Sequence, residues 1–255
     1  MHKISKFRFK SIGAILAISL VLSGSNAHSS QRQVTIPTTG GEILVESFGE
    51  CANAICPAVL ILSGSKGLGA AGYGEIVERF RAAGLNAFLV HILSAADVDA
   101  IAAAGSARMR IAYYARRLPD WAAGVQGVAS YLKRHDRHGG KVGILGVSLG
   151  AQIALAALVG RTDIDAVVLV DGGFPNGYAR PTRSLPPMYL IWGSADQIFP
   201  LSIGRELQRT VRQLGGPVTL DVYDGGAHDF FLRSGTMNAV SAHKSAADFL
   251  MRQLQ

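Results

Sequence analysis

Between Lys141 and Leu158 an apolar run, Val142-Gly143-Ile144-Leu145, passes through Gly146-Val147-Ser148-Leu149-Gly150 into a helix-forming stretch, Ala151-Gln152-Ile153-Ala154-Leu155-Ala156-Ala157-Leu158. A strand that turns at once into a helix brings two stretches of backbone together, and residues without a Cβ permit that approach. Gly146 and Gly150 meet the need and leave the Ser148 side chain at the apex of the turn. In a chain with 30 glycines the five-residue pattern alone is weak. The strand before it and the helix after it make it informative.

The same alternation runs along the chain. Runs rich in Val, Ile and Leu at 57–63, 86–92, 141–146, 166–170, 188–192 and 218–223 are separated by helical stretches at 74–83, within 107–137, and at 148–159, 202–214 and 236–254. Strands apolar on every residue read as a parallel sheet covered on both faces. Two earlier segments, 33–37 and 43–48, flank Thr39-Gly40-Gly41 and predict an opening antiparallel hairpin. The expected fold class is α/β, a mostly parallel eight-stranded sheet with helices on both faces. The connection from Leu93 to Gly140 is too long for a bare crossover, and an extra helix or a small lid is expected there.

The first 27 residues read as a secretory signal: a basic start through Lys10, an apolar core from Ile12 to Leu22, and Ser25-Asn26-Ala27 as small residues for cleavage. Export to the periplasm or beyond is expected. The core falls short of the ~20 residues that span a bilayer, so membrane contact is expected only if the segment stays uncleaved. No linker divides residues 28–255, which predicts a single domain. Of the formal charge of +7, Lys3, Lys6, Arg8 and Lys10 belong to the signal-like segment. The rest of the chain is only weakly basic, which removes the main support for a nucleic-acid partner. Arg108, Arg110, Arg116 and Arg117 form the densest basic set and read as a solvated helix face. Cys51 and Cys56 are the only cysteines, and a local disulfide between them is expected in an oxidising compartment. Without further Cys or nearby His they make a poor metal site.

A serine hydroxyl is a feeble nucleophile until a base takes its proton, and the base works best when an acid fixes its tautomer. After Ser148, the strand 188–192 leads into Gly193-Ser194-Ala195-Asp196, and the strand 218–223 leads into Asp224-Gly225-Gly226-Ala227-His228-Asp229. Asp196 is the candidate acid and His228 the candidate base. A turn or helix-cap aspartate is the plain alternative for Asp196, and Asp171, ending the preceding strand, is its competitor. His91 precedes the serine and breaks the order. His135 and His138 sit in a run read as a helix C-terminus whose cations complement the dipole. Acyl transfer also needs oxyanion donors. Leu149 N–H and Ser65 N–H are the candidates, with Lys66 N–H the neighbour of the second. The loop after the strand 57–63 also carries Gly67-Leu68-Gly69-Ala70-Ala71-Gly72, which matches a dinucleotide fingerprint. Its first glycine lies beyond the strand end, and the next strand closes on His91-Ile92 without an acid, so the nucleotide context fails. Tyr113, Tyr114 and Trp121 either line a site or pack a helix.

Together, Gly146-Val147-Ser148-Leu149-Gly150, Gly193-Ser194-Ala195-Asp196 followed by Pro200, and Gly226-Ala227-His228-Asp229-Phe230 resemble the α/β-hydrolase superfamily, and more narrowly its dienelactone hydrolase-like branch. The likeness spans nearly all of the chain after the signal-like segment and implies no large cap domain. Named enzymes of that branch use a cysteine nucleophile. Ser148 stands in its place here, which points to ordinary ester hydrolysis. With the signal-like segment, the resemblance leads to the expectation of an exported serine hydrolase that cleaves small carboxylic esters through an acyl-enzyme, without cofactor or metal. A peptidase or amidase of the same fold, and a non-catalytic binding protein on the same scaffold, are the other readings.

Overall fold

The computed structural model describes residues 31–48, 55–160, 162–177 and 181–255. The expected signal segment and Cys51 of the expected disulfide lie outside them. In chain order the elements are β1 (Gln31–Thr38), β2 (Gly41–Phe48), β3 (Ala58–Leu62), α1 (Gly72–Ala82), β4 (Asn86–Val90), α2 (Ala95–Ala103), α3 (Ala107–Lys133), β5 (Val142–Val147), α4 (Leu149–Ala157), β6 (Ala166–Val170), β7 (Met188–Gly193), α5 (Leu201–Gln213), β8 (Val218–Tyr223) and α6 (Met237–Leu254). The strands form one sheet in the order β1-β2-β4-β3-β5-β6-β7-β8. The β1–β2 hairpin and the β2–β4 pair are antiparallel, and every other pair is parallel.

Alternation along a strand divides the core into two layers. In β3, Leu60 and Leu62 pack with α3, α4 and α5, whereas Val59 and Ile61 pack with α1 and α6. Both layers exclude water, so β3, β5, β6 and β7 are buried at every residue. The expected α/β sheet is therefore present, with no large cap among the described residues. Parallel strands place all their carboxyl ends along one rim, and the loops leaving β3, β5, β6, β7 and β8 meet there.

The long connection after β4 carries the expected extra helix, α2, followed by the 27-residue α3. Ser94 and Asp97 form a reciprocal cap at the start of α2. Asp97 then does more than cap. Only 2% exposed, its carboxylate accepts from the Tyr113 hydroxyl at 2.7 Å, Arg117 Nε at 2.9 Å and Trp121 Nε1 at 3.3 Å. Burial would raise its pKa, but the bonds from Arg117, Tyr113 and Ser94 outweigh burial and hold the carboxyl well below the usual range. Pro119 interrupts the hydrogen-bond ladder of α3, and these donors lie on both sides of it.

Two readings of the basic residues change as a result. Arg117 is paired with a buried acid and does not belong to a purely solvated face. His138 is 6% exposed, stands edge-on to Phe88 and shares a hydrogen bond with the Cys56 carbonyl, and burial lowers its pKa. It contributes packing and a hydrogen bond rather than a solvated cation. Trp121 is buried in the core, which settles it as helix packing.

Asp97→Ala leaves the Tyr113 hydroxyl, the Trp121 N–H and the Arg117 guanidinium without their acceptor. A loss of roughly 3 kcal/mol of stability is expected, read as a lowered denaturation midpoint in urea.

Candidate active site

The turn from β5 into α4 positions the serine. A Cβ at Gly146 would lie 2.5 Å from the Gly150 oxygen, and one at Gly150 would run into the Leu62 carbonyl at the end of β3. Larger residues would push α4 off the sheet. Ser148 takes φ +53°, ψ −112°, a conformation rarely adopted by residues with a side chain. Its N–H donates to the Val170 carbonyl at 2.9 Å, which ties the strained turn to β6.

Ser148 Oγ lies 2.9 Å from His228 Nε2, and His228 Nδ1 lies 2.8 Å from Asp196 Oδ2. The Asp196 oxygen accepts, so Nδ1 carries the hydrogen and Nε2 turns its lone pair toward the serine. Asp196 Oδ1 accepts from the N–H groups of Ile198 at 2.7 Å and Phe199 at 2.9 Å. Its side chain is fully buried, whereas that of His228 is 25% exposed. The Phe199 ring stacks on His228 with centroids 5.7 Å apart. The two loops are stitched together: Ala195 N–H donates to the Gly226 carbonyl, and the Ser194 hydroxyl bridges Asp224 and the Gly225 N–H. Three residues separated by up to 80 positions thus form one hydrogen-bonded chain.

The loop after β3 lies beside this chain, since a Cβ on Gly64 would lie 3.6 Å from Ser148 Cβ. Gly64 N–H donates to the hydroxyl of Tyr73, a buried residue of α1. Burial pushes that hydroxyl up to about 12, which keeps it neutral. Gly64 is therefore already engaged. The N–H groups of Leu149, Ser65 and Lys66 make no backbone bond among the described residues. Burial raises the pKa of the Tyr114 hydroxyl and the nearby Ser65 side chain opposes it, so α3 reaches this loop. The glycine fingerprint lies here too, and Gly72 serves close packing, because a Cβ there would lie 2.6 Å from the Leu232 oxygen.

Asp171, which ends β6, is 0% exposed. Its Oδ1 accepts from Gly193 N–H at 2.9 Å, and its Oδ2 has no partner. Burial, reinforced by Asp196 and Asp229 nearby, pushes its carboxyl up to about 8 against the opposing bond from Gly193. Asp171, Asp196 and His228 each bring one oxygen or nitrogen within 4.8 Å of the others, a spacing a cation could occupy. Both nitrogens of His228 and both oxygens of Asp196 already hold hydrogen bonds, so an ion there would have to displace them. His91 pairs with Glu46 and lies outside the chain of contacts. Tyr73 and Phe199 went unnoticed in the sequence, where each reads as one more core aromatic. Asp97 had a signal in its Ser-x-x-Asp spacing.

The sequence profile of the Dienelactone hydrolase family matches residues 48–254. No curated protein sequence matches. Among solved structures, the chain is similar to a dienelactone hydrolase from Anabaena variabilis, with 18% identity and a TM-score of 0.67 over 89% of this chain and 100% of that one. It is similar also to Thermogutta terrifontis esterase 2, in a form phosphoramylated by tabun, with 16% identity and a TM-score of 0.67 over 88% of this chain and 95% of that one. A hyperthermophilic esterase from Pyrobaculum calidifontis aligns at 16% identity with a TM-score of 0.68 over 88% of this chain and 86% of that one. At these identities the likeness is one of fold.

The raised Asp171 carboxyl has a consequence for stability. An unfolded aspartate loses its proton near 3.8, whereas the folded one keeps it to about 8. Folding therefore loses stability as pH rises between those values, by at most about 1.4 kcal/mol per pH unit. Asp171→Asn removes that slope. Its melting temperature relative to the unaltered protein should rise from pH 5 to pH 8 in calorimetry.

Proposed function

Because the chain belongs to the dienelactone hydrolase family, we propose that it cleaves carboxylic esters of small molecules, with Ser148 as nucleophile, His228 as general base and then acid, and Asp196 as the group that orients the imidazole. The observation that carries this reading is the unbroken chain from Ser148 Oγ to His228 Nε2 at 2.9 Å and from His228 Nδ1 to Asp196 Oδ2 at 2.8 Å. Each partner has the donor or acceptor that acyl transfer requires of it.

In this reading Ser148 Oγ attacks the ester carbonyl as its proton passes to His228 Nε2. The carbonyl oxygen becomes an oxyanion that accepts from the Leu149 and Ser65 N–H groups. Collapse of the tetrahedral intermediate breaks the bond to the alcohol oxygen, which takes the proton from His228 and leaves. Water then attacks the acyl-enzyme, again giving a proton to Nε2. A second tetrahedral intermediate releases the carboxylic acid and returns the proton to Ser148 Oγ. Each half-reaction moves one proton through one nitrogen, and no cofactor or metal is called on. Asp196, buried and holding three donors, stabilises the imidazolium formed in each half-reaction.

We also propose that residues 1–27 direct export and are removed, leaving residues 28–255 as the single domain, on the basic, apolar and small-residue pattern of that segment.

Ser148→Ala should lower turnover of a short-chain acyl ester by roughly 10⁴-fold or more, with the melting temperature little changed, and should abolish labelling by a fluorophosphonate probe. Hydrolysis at the original rate by that variant overturns the reading. For export, amino-terminal sequencing of protein recovered outside the cytoplasm should begin at His28. A start at Met1 refutes cleavage.

A further inference from the structure

We propose that Asp171 is a positioning residue of this site, the brace that holds the Asp196 carboxylate against His228 Nδ1. The proposal deepens the hydrolytic reading and rests on its assignment of Ser148, His228 and Asp196.

Its place in the chain carries the argument first. Val170 accepts a hydrogen bond from Ser148 N–H, and a Cβ on Gly172 would lie 2.6 Å from the Ser148 oxygen, so the residues on either side of Asp171 touch the nucleophile turn. Asp171 itself faces the other way. Its N–H donates to the Ile191 carbonyl at 3.1 Å and its Oδ1 accepts from Gly193 N–H at 2.9 Å. Gly193 in turn accepts from Asp196 N–H at 3.3 Å. One short segment thus spans from the turn that presents the serine to the turn that presents the acid.

The backbone points the same way. Ser148 and Asp171 are the two residues other than glycine with positive φ among those described, at +53° and +46°. Such strain persists only where the surroundings over-determine it, and it gathers at functional sites.

The side chain supplies the third observation. Asp171 Oδ2 is buried without a partner, in a cluster where one atom from each of Asp171, Asp196 and His228 lies within 4.8 Å of the others. An ionised oxygen there would be an uncompensated charge. A neutral carboxyl instead has an O–H to give, and the Asp196 carboxylate in the same cluster is the acceptor we assign to it. The charged groups around it are Asp196 and His228, and Asp229, which is paired with Arg233.

Ionisation of Asp171 above about pH 8 removes the O–H that braces Asp196 and sets two like charges side by side, which pushes the Asp196 carboxylate off His228 Nδ1. The rate should then fall, with an apparent pKa belonging to the coupled cluster.

The experiment compares Asp171→Ala with Asp171→Asn, which keeps an oxygen for Gly193 N–H and a donor at the Oδ2 position but cannot ionise. Three readouts are taken: kcat and KM across pH for a short acyl ester, the rate of fluorophosphonate labelling at Ser148, and the far-downfield proton resonance of His228 Nδ1–H. Asp171→Ala should lower kcat roughly 10- to 100-fold, the scale of a reacting group misplaced by about an ångström, with KM little changed. It should slow labelling in parallel and weaken the resonance. Asp171→Asn should rescue most of kcat at pH 7 and lack the alkaline fall. An Asp171→Ala protein with kcat, labelling and resonance unchanged overturns the proposal, as does an Asp171→Asn protein that keeps the original alkaline limb. Should Asp171→Ala fail to fold, the Asp171→Asn pH profile decides. If the unaltered protein neither turns over ester nor takes up the probe, the hydrolase reading falls. The His228 resonance in Asp171→Asn then decides the brace: retained supports it, and lost overturns it.

Discussion

The contact between the end of β5 and the first turn of α4 sets the rest of the site. Gly146 and Gly150 let the helix start against the sheet with its axis aimed past β3, and no side chain larger than hydrogen fits at either place. Two results follow from one constraint. Ser148 is held in a strained conformation at the apex of the turn, and Leu149, whose N–H has no acceptor one turn back within the helix, opens α4 directly after it. The candidate nucleophile and one candidate oxyanion donor are therefore placed by packing before any hydrogen bond is counted. Parallel pairing then does for the neighbours what the glycines do for the serine. Because β6, β7 and β8 run beside β5 in the same direction, their carboxyl ends deliver Asp171, Asp196 and His228 to the same rim.

Two carboxyl groups share the buried ground behind His228, and the donors around each separate their behaviour. Asp196 receives Ile198 N–H, Phe199 N–H and the imidazole, so both oxygens have partners. Asp171 receives one N–H, and burial with Asp196 and Asp229 nearby pushes its carboxyl up to about 8. The same residue type thus supplies an acceptor at one position and, near neutral pH, a donor at the next. The difference comes from backbone geometry: the turn after β7 aims two N–H groups at its own carboxylate, whereas Asp171 receives one, from Gly193 at the end of β7.

Much of this was legible in the sequence wherever a local rule and the global fold agree. The bounds of β6 and β8 follow from their apolar runs, and Asp196 and His228 stand out because each follows such a run in the order required of them. What escaped depends on contacts made across the fold. The length of the connection predicts an extra helix but not its place: α2 is a short, alanine-rich stretch with little amphipathic pattern, and its Ser94–Asp97 cap is the main local sign of where it lies. His138 reads as one cation among several until folding seats it edge-on to Phe88 and under the Cys56 carbonyl. Asp171 reads as a rival to Asp196 because chain order cannot distinguish a carboxyl that touches the imidazole from one that stands behind its neighbour. Tyr73 carries no signal at all, since its partner is the Gly64 N–H on a different loop.

The loop after β3 shows how a site can be rigid without a cap. Glycine-rich turns are mobile unless something outside them supplies hydrogen bonds. Here Tyr73 holds Gly64 from α1 on one face of the sheet, and Tyr114 of α3 stands near Ser65 on the other. Tyr114 also leans on Trp121, which donates to the buried Asp97. Asp97 therefore reaches toward the loop after β3 through two aromatic side chains, although it stands apart from Ser148 in the chain. The long connection after β4 thus does more than cross over: its buried acid ties the start of α2 to α3, and α3 brings Tyr114 beside Ser65.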